Sequence, residues 1–100
     1  MSTSDRQQLV GEIADKQNGW LTVDVKNKFM TGDLMELVMP SGNVTFPLEA
    51  MLNKDGNATD VAPGSGHVMR IPLPDTVDEQ HIDEFTMLVR YLPRDDAQTP

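Results

Sequence analysis

Two cations, an amide and an aromatic ring stand in succession at Lys26-Asn27-Lys28-Phe29. Lysines hold phosphates and an exposed ring stacks on a base, the combination that single-strand nucleic-acid binders use. Arg70, Arg90 and Arg94 could join Lys26 and Lys28 if the fold brings them to one face. The competing use of Phe29 is structural. The chain has only three Phe, one Trp and one Tyr, and a domain of 100 residues draws on its large apolar rings to fill an interior. The candidate binding set is therefore Lys26, Asn27, Lys28, Phe29, Arg70 and Arg90, with the core as the more ordinary destination for Phe29.

Catalytic chemistry finds little support in the pattern. The two histidines, His67 and His81, lie in separate turn or loop segments, without a second histidine at the i+3 or i+4 spacing of a helical metal site. No serine sits in a Gly-x-Ser-x-Gly elbow. Gly64-Ser65-Gly66 has the glycines of a phosphate loop but not its downstream lysine, so it reads as a hairpin turn. The acid pairs Asp78/Glu79 and Asp83/Glu84 lack the spacing of a calcium loop and read as a solvated face. The absence of cysteine removes disulfides, thiolate metal ligands and thiol nucleophiles together. The expectation is a domain with no catalytic residue, no metal site and no cofactor of its own.

Sixteen acidic side chains against eight basic ones give a formal charge of −8. A surface so charged repels membranes and phosphate backbones at long range, so any RNA contact must come from a local basic patch. No apolar run approaches the roughly 20 residues that cross a bilayer. The first residues, Met1 to Gln8, are polar and lack the apolar centre of a secretion signal. A cytoplasmic location is expected.

The elements that must position these residues are strands. Asn18-Gly19, Thr31-Gly32-Asp33, Pro40-Ser41-Gly42-Asn43, Asp55-Gly56-Asn57 and Pro63-Gly64-Ser65-Gly66 are turn signals at close, regular spacing. Between them the apolar residues alternate, as in half-buried strands. Leu21, Val23 and Val25 form one such set, Val44, Phe46 and Leu48 a second, and Met69, Ile71 and Leu73 a third. Phe85, Met87, Val89 and Tyr91 also keep period two, against a second face that carries Leu88 and Leu92. Leu34 to Met39 is apolar on both faces apart from Glu36, which suits a central strand. Leu9 to Ala14 is a first strand weakened by Gly11, and Ala58 to Ala62 is a short edge strand. Pro74 to Glu84 is acid-rich. It is either a surface loop or one short helical turn over Thr76 to Ile82, opened by a Thr76/Glu79 capping box. The expected fold is all-β, a small antiparallel barrel or sandwich of about six to eight strands. Its body spans residues 9–92, with disordered tails at 1–8 and 93–100.

The run from Val23 to Leu37, Val-Asp-Val-Lys-Asn-Lys-Phe-Met-Thr-Gly-Asp-Leu-Met-Glu-Leu, resembles the signature of the C-terminal domain of the collagenase-like peptidase family U-32. Val10-Gly11-Glu12-Ile13 upstream agrees with it. So do Pro40-Ser41-Gly42-Asn43 before Val44-Thr45-Phe46, Asp55-Gly56 ahead of Ala62-Pro63-Gly64, and Leu88-Val89-Arg90-Tyr91-Leu92 near the end. The family often closes with paired arginines, where this chain has Arg90 followed by Tyr91. The resemblance implies a small β-barrel similar to the second domain of translation elongation factors, placed downstream of a larger catalytic domain. It also implies a parent protein that is a peptidase or hydroxylates RNA, including uridine in transfer RNA. The family's cysteine-bound iron–sulfur site belongs to that other part, since this chain has no cysteine to offer.

On this reading the chain is a non-catalytic accessory module. Its partner is the catalytic domain of the parent chain, and tRNA held by a local basic patch is a candidate second partner. A purely structural or protein-interaction domain without RNA contact is the alternative. Gly32 and Asp33 are expected to form a structural turn, glycine supplying a positive φ and the carboxylate binding turn amides.

Overall fold

Alternation builds the sheet. In β2 (Trp20–Val25) Leu21, Val23 and Val25 are fully buried while Thr22 and Asp24 remain half-exposed. In β8 (Val68–Pro72) Met69 and Ile71 face inward and Arg70 outward. In β4 (Leu34–Val38) Met35 and Leu37 are buried, and Met39 just beyond continues that face. The computed structural model describes residues 7–92 and resolves them into nine strands, more than the six to eight expected. The excess comes from two two-residue strands, β3 (Phe29–Met30) and β6 (Leu52–Asn53), while β7 (Val61–Ala62) falls within the edge strand expected over Ala58 to Ala62. Such strands are too short to leave a periodic signal.

Seven strands form one curled antiparallel sheet in the order β5-β4-β9-β1-β2-β8-β6, where β1 is Gln7–Gln17, β5 Val44–Pro47 and β9 Met87–Tyr91. The protein is all-β, as expected, and the sheet curls into a half-barrel. On a remaining side β3 and β7 pair as a separate two-stranded ribbon, tied by the turn after β3 to the segment that follows β5. Thr31 N–H donates to Asp60 O at 2.9 Å, Gly32 N–H to Leu48 O at 2.8 Å and Leu48 N–H to Asp33 O at 3.0 Å. Phe29, Leu48, Met51 and Ala62 bring this side into the same core as the sheet.

β1 starts at Gln7 and runs to Gln17, so Gln7 and Gln8, expected in the tail, are paired with Tyr91 and Arg90. Residues 1–6 and 93–100, including Arg94, lie outside the described residues. The strand is irregular twice, between Leu9 and Gly11 against β9 and between Ile13 and Asp15 against β2. At the first irregularity both Val10 and Gly11 turn inward, and at the second both Ala14 and Asp15 face solvent. Bulges of this kind bend a strand and increase its twist, which lets β1 serve as the spine of a curled sheet. Gly11 does not weaken this strand. A Cβ there would lie 2.5 Å from Val23 Cγ1 and 3.0 Å from Asp24 O, so only glycine admits so close an approach of β2.

β9 reverses an expectation. Leu88 is its buried residue, whereas Phe85 is 68% and Met87 38% exposed. The period-two stripe Phe85-Met87-Val89-Tyr91 thus belongs to the outside. The acid-rich stretch ahead of β9 forms a single 3₁₀ turn, Glu79–His81, and Asp78 rather than Thr76 caps it by accepting the Gln80 N–H at 3.0 Å. Val77 and Ile82 from this stretch are buried, so it closes one end of the core. The Lys16 ammonium secures it by donating to Glu79 O at 2.8 Å and Ile82 O at 2.7 Å. Thr86 is fully buried, with its hydroxyl paired to Asp83 on both sides: it accepts the Asp83 N–H at 3.1 Å and donates to Oδ1 at 3.4 Å.

Candidate functional site

The basic–aromatic run leaves the sheet at the end of β2, where Val10 O accepts both the Lys26 N–H at 2.7 Å and the Asn27 N–H at 3.2 Å. The Asn27 side-chain amide donates to Leu9 O at 2.7 Å. Asn27 therefore ties the run to the bulge in β1, satisfying carbonyls that the irregular ladder leaves free. Lys26 is exposed and lies 3.4 Å from Asp24. Lys28 is exposed and forms no ion pair among the described residues. Phe29 is 1% exposed. Its ring packs in the core and offers no face to a base, a correction to the binding set.

Gly32 has φ 95°, a left-handed conformation that side chains with a Cβ rarely adopt. The turn it makes places Asp33 Oδ2 2.9 Å from the Met30 N–H, which donates to it. The same oxygen receives Arg90 Nη1 at 3.2 Å, while Arg90 Nε donates to Gln8 Oε1 at 3.2 Å. Arg90 thereby spends its charge on the turn and its fork on two side chains.

A shallow depression of ≈ 380 Å³ is lined by Gln8, Asn27, Lys28, Phe29, Met30 and Arg90. The fold thus gathers Asn27, Lys28, Phe29 and Arg90 from distant parts of the sequence. Lys26 does not line it, and Arg70 is elsewhere. Arg70 stands opposite Thr22 on the outer face of β8, beside a groove that also holds Asp15, Trp20 and Lys54. Thr22 and Lys26 are four residues apart along extended chain, which separates Arg70 from Lys26 by about 13 Å. Arg70 thus stands apart from the depression that gathers Asn27, Lys28, Phe29 and Arg90. Gln8 and Met30 were not foreseen in the site: only the pairing of β1 with β9 brings Gln8 there, and Met30 follows Phe29 in the same short strand. Among the described residues no three His, Asp or Glu side chains converge as a metal-binding group, and the chain has no cysteine.

Residues 5–88 match the model of the peptidase family U32 C-terminal domain. The chain belongs to that family. Two curated relatives of this U32 C-terminal domain are both described as tRNA hydroxylation protein P. The one from Escherichia coli (strain K12) is 50% identical over 73% of this chain and 16% of the relative. The one from Haemophilus influenzae is 39% identical over 99% of this chain and 21% of the relative. This chain thus spans about a fifth or less of the length of the curated relatives it matches. In fold it is similar to the crystal structure of the C-terminal domain of a candidate U32 peptidase from Geobacillus thermoleovorans, with TM-score 0.71 and 22% identity over 84% of this chain and 92% of that one. A selenomethionine form of that domain gives TM-score 0.68 at 23% identity over 81% and 96% of the two chains. No helix among the described residues is long and apolar enough to cross a membrane.

Proposed function

We propose that this domain is the non-catalytic accessory part of a cytoplasmic tRNA hydroxylation protein, and that it orients substrate or catalytic domain for a reaction performed elsewhere in the parent. The observation that carries this reading is the 39% identity over 99% of the chain to a relative described as a tRNA hydroxylation protein. Held away from the reacting atoms, a domain can still accelerate a reaction by fixing its participants in place. RNA contact, on this reading, centres on Lys28 and the depression beside it, since Lys28 is exposed and without an ion pair among the described residues.

A second reading, bracing of the catalytic domain without RNA contact, draws support from the neighbours of the other candidates. Lys26 has Asp24 beside it, Arg90 has Asp33, and Phe29 is buried. The test compares tRNA hydroxylation, by mass spectrometry of digested tRNA, in strains carrying the full-length parent, a parent lacking this domain, and a parent with Lys28→Glu. Loss of modification in both altered strains at matched protein levels supports RNA contact. Loss only on truncation supports bracing. Full modification without the domain would overturn the accessory role.

A further inference from the structure

The outer face of β4, β9 and β1 is apolar where an antiparallel sheet that faces water is ordinarily polar. Leu34 on β4 is 45% exposed, and Leu9 on β1 and Met87 on β9 are each 38% exposed. The register joins Leu9 and Met87, and Leu34 lies on the same face of β4, two residues before Glu36. Across β9 and β1, Leu9 stands opposite Val89 and Glu12 opposite Met87. Across β4 and β9, Glu36 stands opposite Val89 and Val38 opposite Met87. Directly opposed side chains on one face lie about 5 Å apart, so Leu9, Val38, Met87 and Val89 make a continuous strip over three strands. Two acids share this face: Glu12, exposed opposite Met87, and Glu36, which is already partnered, its Oε1 accepting from the Tyr91 hydroxyl at 3.1 Å and from the Gln7 side-chain amide. Covering the strip would leave the Glu36 carboxylate hydrogen-bonded. The other half of the sheet is mixed: Val68, 41% exposed, and Trp20 stand outward there, but they are interrupted by Thr22, Asp24 and Arg70.

We propose that this strip is the surface by which the domain docks on the catalytic part of its own parent chain. Two observations choose the occupant. The chain spans 16% and 21% of its curated relatives and belongs to a C-terminal domain family, so most of such a parent precedes this domain. β1 begins at Gln7, which is paired with Tyr91 and hydrogen-bonded to Glu36, so the chain enters the domain at the edge of the strip. A partner tethered there meets the face at high effective concentration, and a few apolar contacts suffice to hold it. The inference rests on family membership and not on the role in tRNA modification.

The test uses the full-length parent carrying one reporter thiol at a time: Met87→Cys, Leu34→Cys, or Arg70→Cys on the other half of the sheet. Maleimide modification is followed by peptide mass spectrometry and normalised to the same variant unfolded in urea. Positions 87 and 34 should react at least tenfold more slowly than position 70. Adding Leu9→Glu to the Met87→Cys protein should bring its rate up to that of position 70. Equal rates at all three positions would overturn the proposal. So would protection that disappears on dilution, which marks a second copy as the occupant, and protection that needs added tRNA. Protection that survives Leu9→Glu would overturn it as well.

Discussion

Arg90 and Asp33, 57 residues apart in sequence, meet at 3.2 Å with side chains only 21% and 17% exposed. Through this pair the last described strand is fastened to the turn that delivers Phe29 to the core. Asp33→Ala and Arg90→Ala should each destabilise the fold by about 1–3 kcal/mol, the range for a charged hydrogen bond whose partner is left behind. The double variant should lose less than the sum, with a coupling of about 0.5–3 kcal/mol in a double-mutant cycle. Urea unfolding of the four proteins measures it, and strict additivity would show that the contact contributes nothing.

Gly11→Ala should cost about 1–3 kcal/mol, because the new methyl would press on Val23 Cγ1 in a packed interior. The same change in a Val23→Ala background should cost clearly less. A midpoint unmoved by Gly11→Ala would mean that β1 and β2 are not in such close contact.

Lys16→Met should loosen the 3₁₀ segment more than the sheet. The replacement keeps the apolar stem and removes the donors to Glu79 O and Ile82 O. Amide exchange at His81 and Ile82 should quicken while amides in β2 hold their protection, a local opening in the sense of sub-global stability. Uniformly faster exchange would show instead that the lysine supports the whole fold.

Phe29 and Lys28 should separate stability from binding. Phe29→Ala should destabilise by about 3–5 kcal/mol, the cost of emptying a buried aromatic site. Lys28→Ala should stay within about 0.5 kcal/mol of the parent domain, as surface changes do. In the full-length protein, Lys28→Ala should lower the salt slope of tRNA binding by about one, the signature of one lost phosphate contact. An unchanged slope would favour the bracing role.

Where a strand is regular and one-sided, its residues declare it. Leu21, Val23 and Val25 alternate without interruption, and all three are fully buried. β1 hides its course because each bulge shifts the alternation by one, so Gly11 looks like a defect when it is a point of contact. β9 misleads for the opposite reason. Its outer stripe is as apolar as an inner one, and periodicity cannot tell a core from a surface of association. The depression around Lys28 was half legible. Lys28 stands in a conspicuous run, but Gln8 and Arg90 reach it only through the pairing of the first and last described strands. Asp24 stands two residues before Lys26 on one face of a strand, so its contact was legible, whereas Asp33 reaches Arg90 from 57 residues away only through the fold.

The position of β9 between β1 and β4 sets the order of events during synthesis. A ribosome that has made everything up to Thr86 has produced two strands that flank an empty place. Each then presents a bare row of backbone donors and acceptors, an invitation to pair with another nascent chain. The sheet cannot become continuous until Met87 to Tyr91 has left the exit tunnel, because the closing contacts join the two ends of the domain. A premature stop codon ahead of Met87 would therefore yield an aggregating product rather than a slightly shortened domain.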